Sequence, residues 1–450
     1  MNTDLHYASI DTLHDLYRHR KISVLEVVQH FIDRIKTYNE QLNAVITIVE
    51  DDSIARAVEA DSALRTGAVD DKPLLGIPIT VKDSIPTKGI RTTQNSRTKG
   101  DWIPETEPLP IKHLREAGAI IIAKANCNEY FGIPSTDDRF LPPRTPFNPN
   151  YVAIGSSSGS GVAMAAGLGV ASIGTDSAGS VRLPAAQAGV FGLKATNGFY
   201  EEGVSARHST FSVIGPLTRT TRDAALITSI MANQQPLSVS DEGVSGLKIG
   251  VPWQYINTSP VEDEVKAAFE QLLALLDDAG AILIDIDIPG LAEARMATFV
   301  AMYTEHHAAH AASLRQHLDN YGQSARLYAM QGAFISAADY LHAMELGRRV
   351  RLSVDKTLEV VDTIAMPTSP FVTAEAARKP SEHRAGMNTV FTVAFNMTGH
   401  PAMTVPAGVS ALGIPIGVQF ASRHFEEQLL LRVSHFVEHA TPWKDLHPTL

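Results

Sequence analysis

The chain has 450 residues, 44% of them hydrophobic and 19% charged, so it carries ample apolar surface for a large folded core. Its formal net charge of −11 works against phosphate-backbone binding, which needs a basic face to displace counterions, and no nucleic-acid partner is expected. A single cysteine, Cys127, excludes an internal disulfide and a cysteine-based metal site and fits a reducing compartment.

The first residues, Met1-Asn2-Thr3-Asp4-Leu5-His6, lack a basic segment followed by an apolar one, so no secretion signal is expected. The longest apolar stretches, Ala117 to Ala123 and Val162 to Ile173, are too short or too rich in glycine for the roughly 20 lipid-facing residues of a membrane helix. The expectation is a soluble cytoplasmic protein with no membrane partner.

An N-terminal helical arm covers about residues 1–66. Ser23 and Glu26 form a capping-box pattern, and Val24, Val27, Val28, Phe31, Ile32 and Ile35 recur at helical spacing, which predicts an outer helix packed on a core. From about residue 73 short apolar runs alternate with Gly and Pro, as in Leu74 to Val81 and Ala119 to Ala123, and read as buried strands. Leu109 to Gly118 between them reads as a helix ending on glycine, so the order is that of an α/β sheet.

Gly155 to Gly192 is rich in Gly, Ser and Ala. It fits either tight packing of a small-residue helix, Gly161 to Gly167, or a loop whose backbone must approach a substrate. Residues 226–350 are more polar and read as a peripheral helical region, with Val261 to Ala279 amphipathic and Gly280 as its stop. Strand texture returns at Asp362 to Pro367, Ala402 to Pro406 and Gly417 to Phe420, and a helix around Glu426 to Phe436 closes the chain.

Several residue sets are candidates for chemistry. His306 and His310 lie one helical turn apart and suit zinc, but no third ligand or carboxylate motif accompanies them, and no metal site is expected. Gly155-Ser156-Ser157-Ser158-Gly159 satisfies the nucleophile-elbow pattern, with Tyr151 to Ile154 as its strand. That reading makes Ser157 the nucleophile of an α/β-hydrolase esterase, with His424 or His435 as base.

A second serine loop runs from Gly174 through Thr175, Asp176, Ser177, Ala178, Gly179 and Ser180 to Pro184. A turn of small residues presents several backbone N–H groups in one direction, as an oxyanion hole requires; the structural alternative is a glycine turn braced by an Asp176–Arg182 ion pair. Lys82 and Lys124 both end apolar runs, where burial lowers an ammonium pKa and frees the amine as a base.

In their order and spacing these pieces resemble the amidase signature family over nearly the whole chain. Leu75 to Asp83 is similar to the element carrying the family's general-base lysine, which selects Lys82; Leu114 to Asn126 is similar to the strand lining the cleft, which makes Lys124 structural. Residues 154 to 160 and 174 to 184 match the family's two serine loops, and Ser156 and Ser180 fall at the separation the family keeps between its bridging serine and its nucleophile. Gly189 to Lys194, Ile214 to Arg219, Pro367-Thr368, Gly399-His400-Pro401 and Gly413 to Gln419 follow in order. Ile154, Ser158 and Ala178 stand where the family usually has Gly, and at Ala178 the methyl group is harmless only if φ is negative.

The resemblance implies one large mixed β-sheet flanked by helices on both faces, a single domain over 1–450. Within it a signature core spans about 70–225, a variable helical region about 226–350, and a returning sheet and helix about 355–450. It implies a cis peptide bond before Ser156, a Lys82–Ser156–Ser180 triad, and an oxyanion hole from Ser177, Ala178, Gly179 and Ser180, supported by Asp176 and Arg182. It also implies a substrate wall including Tyr130, Phe131, Ile133 and the stretch Phe199 to His208. The expected activity is hydrolysis of a small aliphatic or aryl amide, carbamate or ureide without a cofactor, by a protein for which a homodimer is one possible state. The alternative within the family is the A-type glutaminase component of an aminoacyl-tRNA amidotransferase, which frees ammonia for a partner.

Overall fold

The computed structural model describes residues 4–65, 72–132, 139–201, 210–373 and 387–450. Helix α1 (Ile10–Arg18) starts where the Ser9 side chain accepts from Thr12 N. Helix α2 (Val24–Leu42) has the predicted capping box, in which Ser23 Oγ and the Glu26 carboxylate each accept from the other's backbone N–H. The apolar stripe of α2 is fully buried against the core. Helix α3 (Glu50–Arg65) completes the arm.

The strands, β1 (Val45–Ile48), β2 (Pro78–Lys82), β3 (Ile120–Ala125), β4 (Ala171–Asp176), β5 (Phe191–Lys194), β6 (Val213–Thr218), β7 (Lys248–Val251), β8 (Ile282–Asp285), β9 (Thr363–Pro367), β10 (Ala402–Val409) and β11 (Pro415–Ala421), form one sheet. Their order is β1-β3-β2-β4-β6-β5-β10-β11-β9-β7-β8. β3, β2 and β4 run parallel side by side; β4, β6, β5, β10, β11 and β9 alternate in direction, and β9, β7 and β8 are parallel again. The sheet is therefore mixed. Its central parallel strands are buried along their whole length, which is why they read as continuous apolar runs.

Two helices cross beside this parallel trio. Helix α4 (Leu109–Glu116) links β2 to β3 and α5 (Ser158–Ala165) precedes β4. The small residues of α5 are a packing requirement: a Cβ on Gly159 would overlap the backbone of Ala44 and Asn126, and one on Gly161 would reach Pro184 O at 2.9 Å. Helices α6 (Arg182–Ala188) and α7 (Thr221–Ala232) take opposite faces of β5. Gly192 faces α6, since a Cβ there would meet Ala185 at 2.6 Å, whereas Phe191 and Leu193 join the buried cluster containing Ala224 and Ala225 of α7.

Beyond α7 come α8 (Trp253–Thr258), α9 (Asp263–Asp278), α10 (Leu291–His317), α11 (Gln323–Gln331) and α12 (Ala337–Leu358). A short helix, Val393–Thr398, and a C-terminal one, Glu427–Ala440, follow. The variable region is helical as expected, but it also carries β7 and β8, which extend the sheet. Both strands are four residues long, and β8 is only partly covered, so neither shows a long apolar run. Among the described residues no helix is long and apolar enough to cross a membrane.

Candidate active site

β2 and β4 are parallel neighbours, so their carboxyl ends lie side by side, the usual place for a ligand in such a sheet. Lys82 ends β2 and Asp176 ends β4. Lys82 is fully buried, and its Nζ lies 2.8 Å from both Ser156 Oγ and Thr175 Oγ1. Burial pushes its pKa down to about 8, against the opposing pull of Cys127 and Asp176. A useful fraction is thus the neutral amine near neutral pH.

Ser156 sits in the turn before α5, after a cis Gly155–Ser156 peptide bond, as the resemblance implied. Its carbonyl accepts from Asn128 N at 3.3 Å, and a Cβ on Gly155 would meet Asn128 Oδ1 at 2.6 Å. Ser180 lies just ahead of α6 and is half-buried. Its carbonyl accepts from Ser157 N at 3.3 Å, which ties the two serine loops together. Among the described residues no hydrogen bond joins the Ser156 and Ser180 hydroxyls, a contact that in many enzymes tightens only once substrate is bound.

The turn between β4 and α6 is built on Asp176. Its carboxylate accepts from Gly179 N at 2.7 Å and Val181 N at 3.2 Å, and pairs with Arg182 through Nε and Nη2, both at 3.0 Å. Burial alone would raise the Asp176 pKa, but the Arg182 guanidinium and the Asn396 amide outweigh it and hold the carboxyl well below the usual range. The predicted donor set changes as a result. Gly179 N–H is spent on Asp176, and the N–H groups of Ser177, Ala178 and Ser180 are the ones without a protein acceptor among the described residues.

Gly179 has φ +116, and a Cβ there would overlap Thr392 Oγ1. Ala178 is outside the positive-φ region, so its methyl adds no backbone strain. That methyl instead belongs to an apolar cluster with Phe211, Ala297, Ala301, Met302, Val393 and Met397.

The amidase family model matches residues 26–431. The chain belongs to the amidase signature family. It is 32% identical over 97% of both chains to the A subunit of glutamyl-tRNA(Gln) amidotransferase from Geobacter metallireducens. Its fold is similar to a solved amidase (TM-score 0.89, 29% identity, 96% of this chain and 99% of the other). It is also similar to the solved glutamyl-tRNA(Gln) amidotransferase A subunit from Thermotoga maritima (TM-score 0.80, 29% identity, 98% of this chain and 96% of the other).

Within this amidase fold the competing nucleophile loses its geometry. Ser157 is fully buried; its Oγ donates to Thr175 O at 3.2 Å and accepts from Thr175 N at 3.3 Å, so it belongs to the β4 backbone. Tyr151 to Ile154 forms no elbow strand; Val152 makes a single bridge to Arg144. Neither proposed base is positioned for it: His435 bonds Thr221 and Asp241, and His424 lies beside Asp355.

Of the expected wall residues, Phe131 places its ring 4.9 Å from Lys82 Nζ. Tyr130 turns the other way, with its hydroxyl on Thr98 and its ring against His310 and Tyr321, because φ values of +44 and +66 at consecutive residues twist the chain there. Phe199 and Tyr200 are buried in the N-terminal core, while Ile133 and the stretch 202–209 lie outside the described residues. His306 and His310 belong to the same aromatic cluster as Tyr130, and among the described residues they are part of no three-ligand group.

Four residues of this amidase site escaped sequence reasoning. Thr175, the second contact of Lys82, stands inside the matched serine loop, but nothing in that string marks it as a partner of the lysine. Asn396 donates to Asp176 O at 3.0 Å and accepts from Arg182 at 2.6 Å; Gln419 accepts from Arg182 at 2.8 Å; Thr392 donates to Ala178 O at 2.7 Å. The last three come from the far end of the chain; Gln419 ends a matched segment, but nothing in the residue order pairs any of them with the Asp176 turn.

Proposed function

We propose that this chain hydrolyses a carboxamide C–N bond through a Ser180 acyl-enzyme, with Ser156 and neutral Lys82 as the proton relay. The observation that carries this reading is the buried Lys82 amine at 2.8 Å from Ser156 Oγ, beside a turn with three uncommitted N–H groups. Ser180 Oγ attacks the carbonyl carbon as its proton passes to Ser156 Oγ, and the Ser156 proton passes to Lys82 Nζ. The C–O bond forms and the carbonyl π electrons move onto oxygen, where Ser177, Ala178 and Ser180 N–H receive them. One such donor is worth about 2.7–4 kcal/mol in a water-excluded site. Collapse breaks the C–N bond, Ser156 returns a proton to the leaving nitrogen, and Lys82 reprotonates Ser156. Water then enters by the same relay and releases the acid. The substrate class proposed is a small aliphatic or aryl amide, carbamate or ureide.

Similarity to amidotransferase A subunits supports a second reading, in which the amide is that of glutamine and the ammonia goes to a partner. A panel of p-nitroanilides, primary amides, carbamates and glutamine separates the two. Turnover of glutamine alone, with a larger tRNA-binding protein co-purifying, supports the amidotransferase reading. The shared chemistry is tested by mass spectrometry after reaction with a fluorophosphonate. One adduct on Ser180 is expected, lost in Ser180→Ala and kept in Ser157→Ala; the reverse pattern would overturn the assignment.

A further inference from the structure

Asp355, His400 and His424 are far apart in sequence, and none belongs to the amide-cleaving site. Asp355 lies on α12, His400 just before β10 and His424 just after β11. Their side-chain donor atoms all fall within 4.8 Å of one another. His400 Nε2 is 2.9 Å and His424 Nε2 3.8 Å from the same oxygen, Asp355 Oδ1. Donor atoms on a tetrahedral zinc ion, with bonds near 2.0–2.1 Å, sit roughly 3.3 Å apart, so small side-chain adjustments bring the three to coordination distance.

We propose that Asp355, His400 and His424 bind one divalent transition-metal ion, zinc in particular, which pins α12 to the segments flanking β10 and β11.

Several observations support it. His400 is fully buried and its Nδ1 lies 2.9 Å from Thr398 Oγ1, which fixes the ring and leaves Nε2 as the ligand atom, the outer-shell arrangement common for zinc-bound imidazole. Among the described residues His424 Nε2 is buried without a hydrogen-bond partner, although it lies 3.8 Å from the carboxylate; an imidazole nitrogen left in that state is costly unless something occupies it. The carboxylate is divided, with Oδ2 turned to Arg351 Nε at 3.8 Å and Oδ1 turned to the two rings. Asp355 is partly exposed, which gives an ion a way in and leaves a fourth position for water.

The other three-ligand group among the described residues, His435, Glu438 and His439, has its central imidazole already bonded to residues outside the group. Both His435 nitrogens and Glu438 Oε2 are committed to Thr221 and Asp241.

The test uses untagged full-length protein stripped with a chelator and titrated with Co2+, then Zn2+. One equivalent of Co2+ with visible ligand-field absorption, displaced by Zn2+, is expected, together with a Zn2+-dependent rise in Tm. His424→Ala and Asp355→Asn should each weaken binding more than tenfold at unchanged circular dichroism, and Thr398→Val by about 10- to 100-fold. His435→Ala should bind as the wild type does. Absence of uptake by the wild type, uptake unaffected by Asp355→Asn, or uptake lost in His435→Ala would each overturn the proposal. Fluorophosphonate labelling of Ser180 is read separately, so failure of the metal site and failure of the amidase reading remain distinguishable.

Discussion

Lys82 and Lys124 leave adjacent parallel strands toward opposite faces of the sheet. Val81, not Lys82, is in register with Lys124, and side chains alternate along a strand. Burial lowers both ammonium groups to about 8, so acidity does not tell them apart. Their partners do: Lys124 Nζ donates to Ile85 O, Thr87 Oγ1 and Thr92 Oγ1 at 2.6, 2.6 and 3.0 Å, which uses all three of its protons, whereas Lys82 meets two hydroxyls.

Substitution of the two lysines should therefore separate chemistry from stability. Lys82→Met is expected to lower kcat by orders of magnitude while the fold persists. Lys124→Met should remove three buried hydrogen bonds, those to Ile85 O, Thr87 Oγ1 and Thr92 Oγ1, and lower Tm with turnover per folded molecule retained. Steady-state kinetics beside thermal melts read both; near-normal turnover in Lys82→Met would remove it from the mechanism.

The pH dependence follows from the same burial. Lys82 must be neutral to accept a proton, and it is neutral above its pKa of about 8. The kcat/KM profile should accordingly rise with pH, about tenfold per unit on the acid side, and level off above about pH 8. A flat profile from pH 6 to 9, with chemistry shown to be rate-limiting, would contradict the assigned base.

The oxyanion turn gives a paired prediction at neighbouring positions. Gly179→Ala forces a side chain into positive φ and onto Thr392, so fluorophosphonate labelling of Ser180 should fall at least tenfold. Ala178→Gly removes only a methyl from an apolar cluster; stability should drop by ~1 kcal/mol and labelling should stay within a few-fold of wild type.

Arg182→Leu tests the brace beneath that turn. It leaves the Asp176 carboxylate buried without its counter-ion, and a loss of about 3–5 kcal/mol is expected in denaturant unfolding. Asp176 is held below its ordinary pKa of 3.8, so its contribution is fully present above that value and is lost as acid takes the pH below it. The variant should therefore have a shallower acid-side stability loss than the wild type.

The loops of the proposed triad were legible as motifs because each is a local string whose spacing survives folding: Lys82 at the end of an apolar run, Ser156 and Ser180 in small-residue turns. The central strands were legible because burial on both faces makes them uniformly apolar. β4 was obscured by its Gly and Ser residues: a Cβ on Gly174 would reach Ser157 Oγ at 2.8 Å, and Ser172 Oγ accepts from Thr80 Oγ1 of β2 at 2.7 Å. The engagement of Gly179 N–H by Asp176 depends on where a carboxylate rotamer points, and the outward turn of Tyr130 on two residues in positive φ; neither leaves a trace in residue order. Asn396 and Gln419 reach Arg182 across nearly half the chain or more, so only tertiary structure pairs them.

That long reach bears on biosynthesis. All three side chains of the proposed triad have been translated by residue 180, yet the turn that carries Ser180 is clasped by Thr392, Asn396 and Gln419. A nascent polypeptide would hold the complete set of reactive groups for most of its synthesis and still be inert, gaining competence only when its last quarter emerges from the ribosome and folds back onto β4.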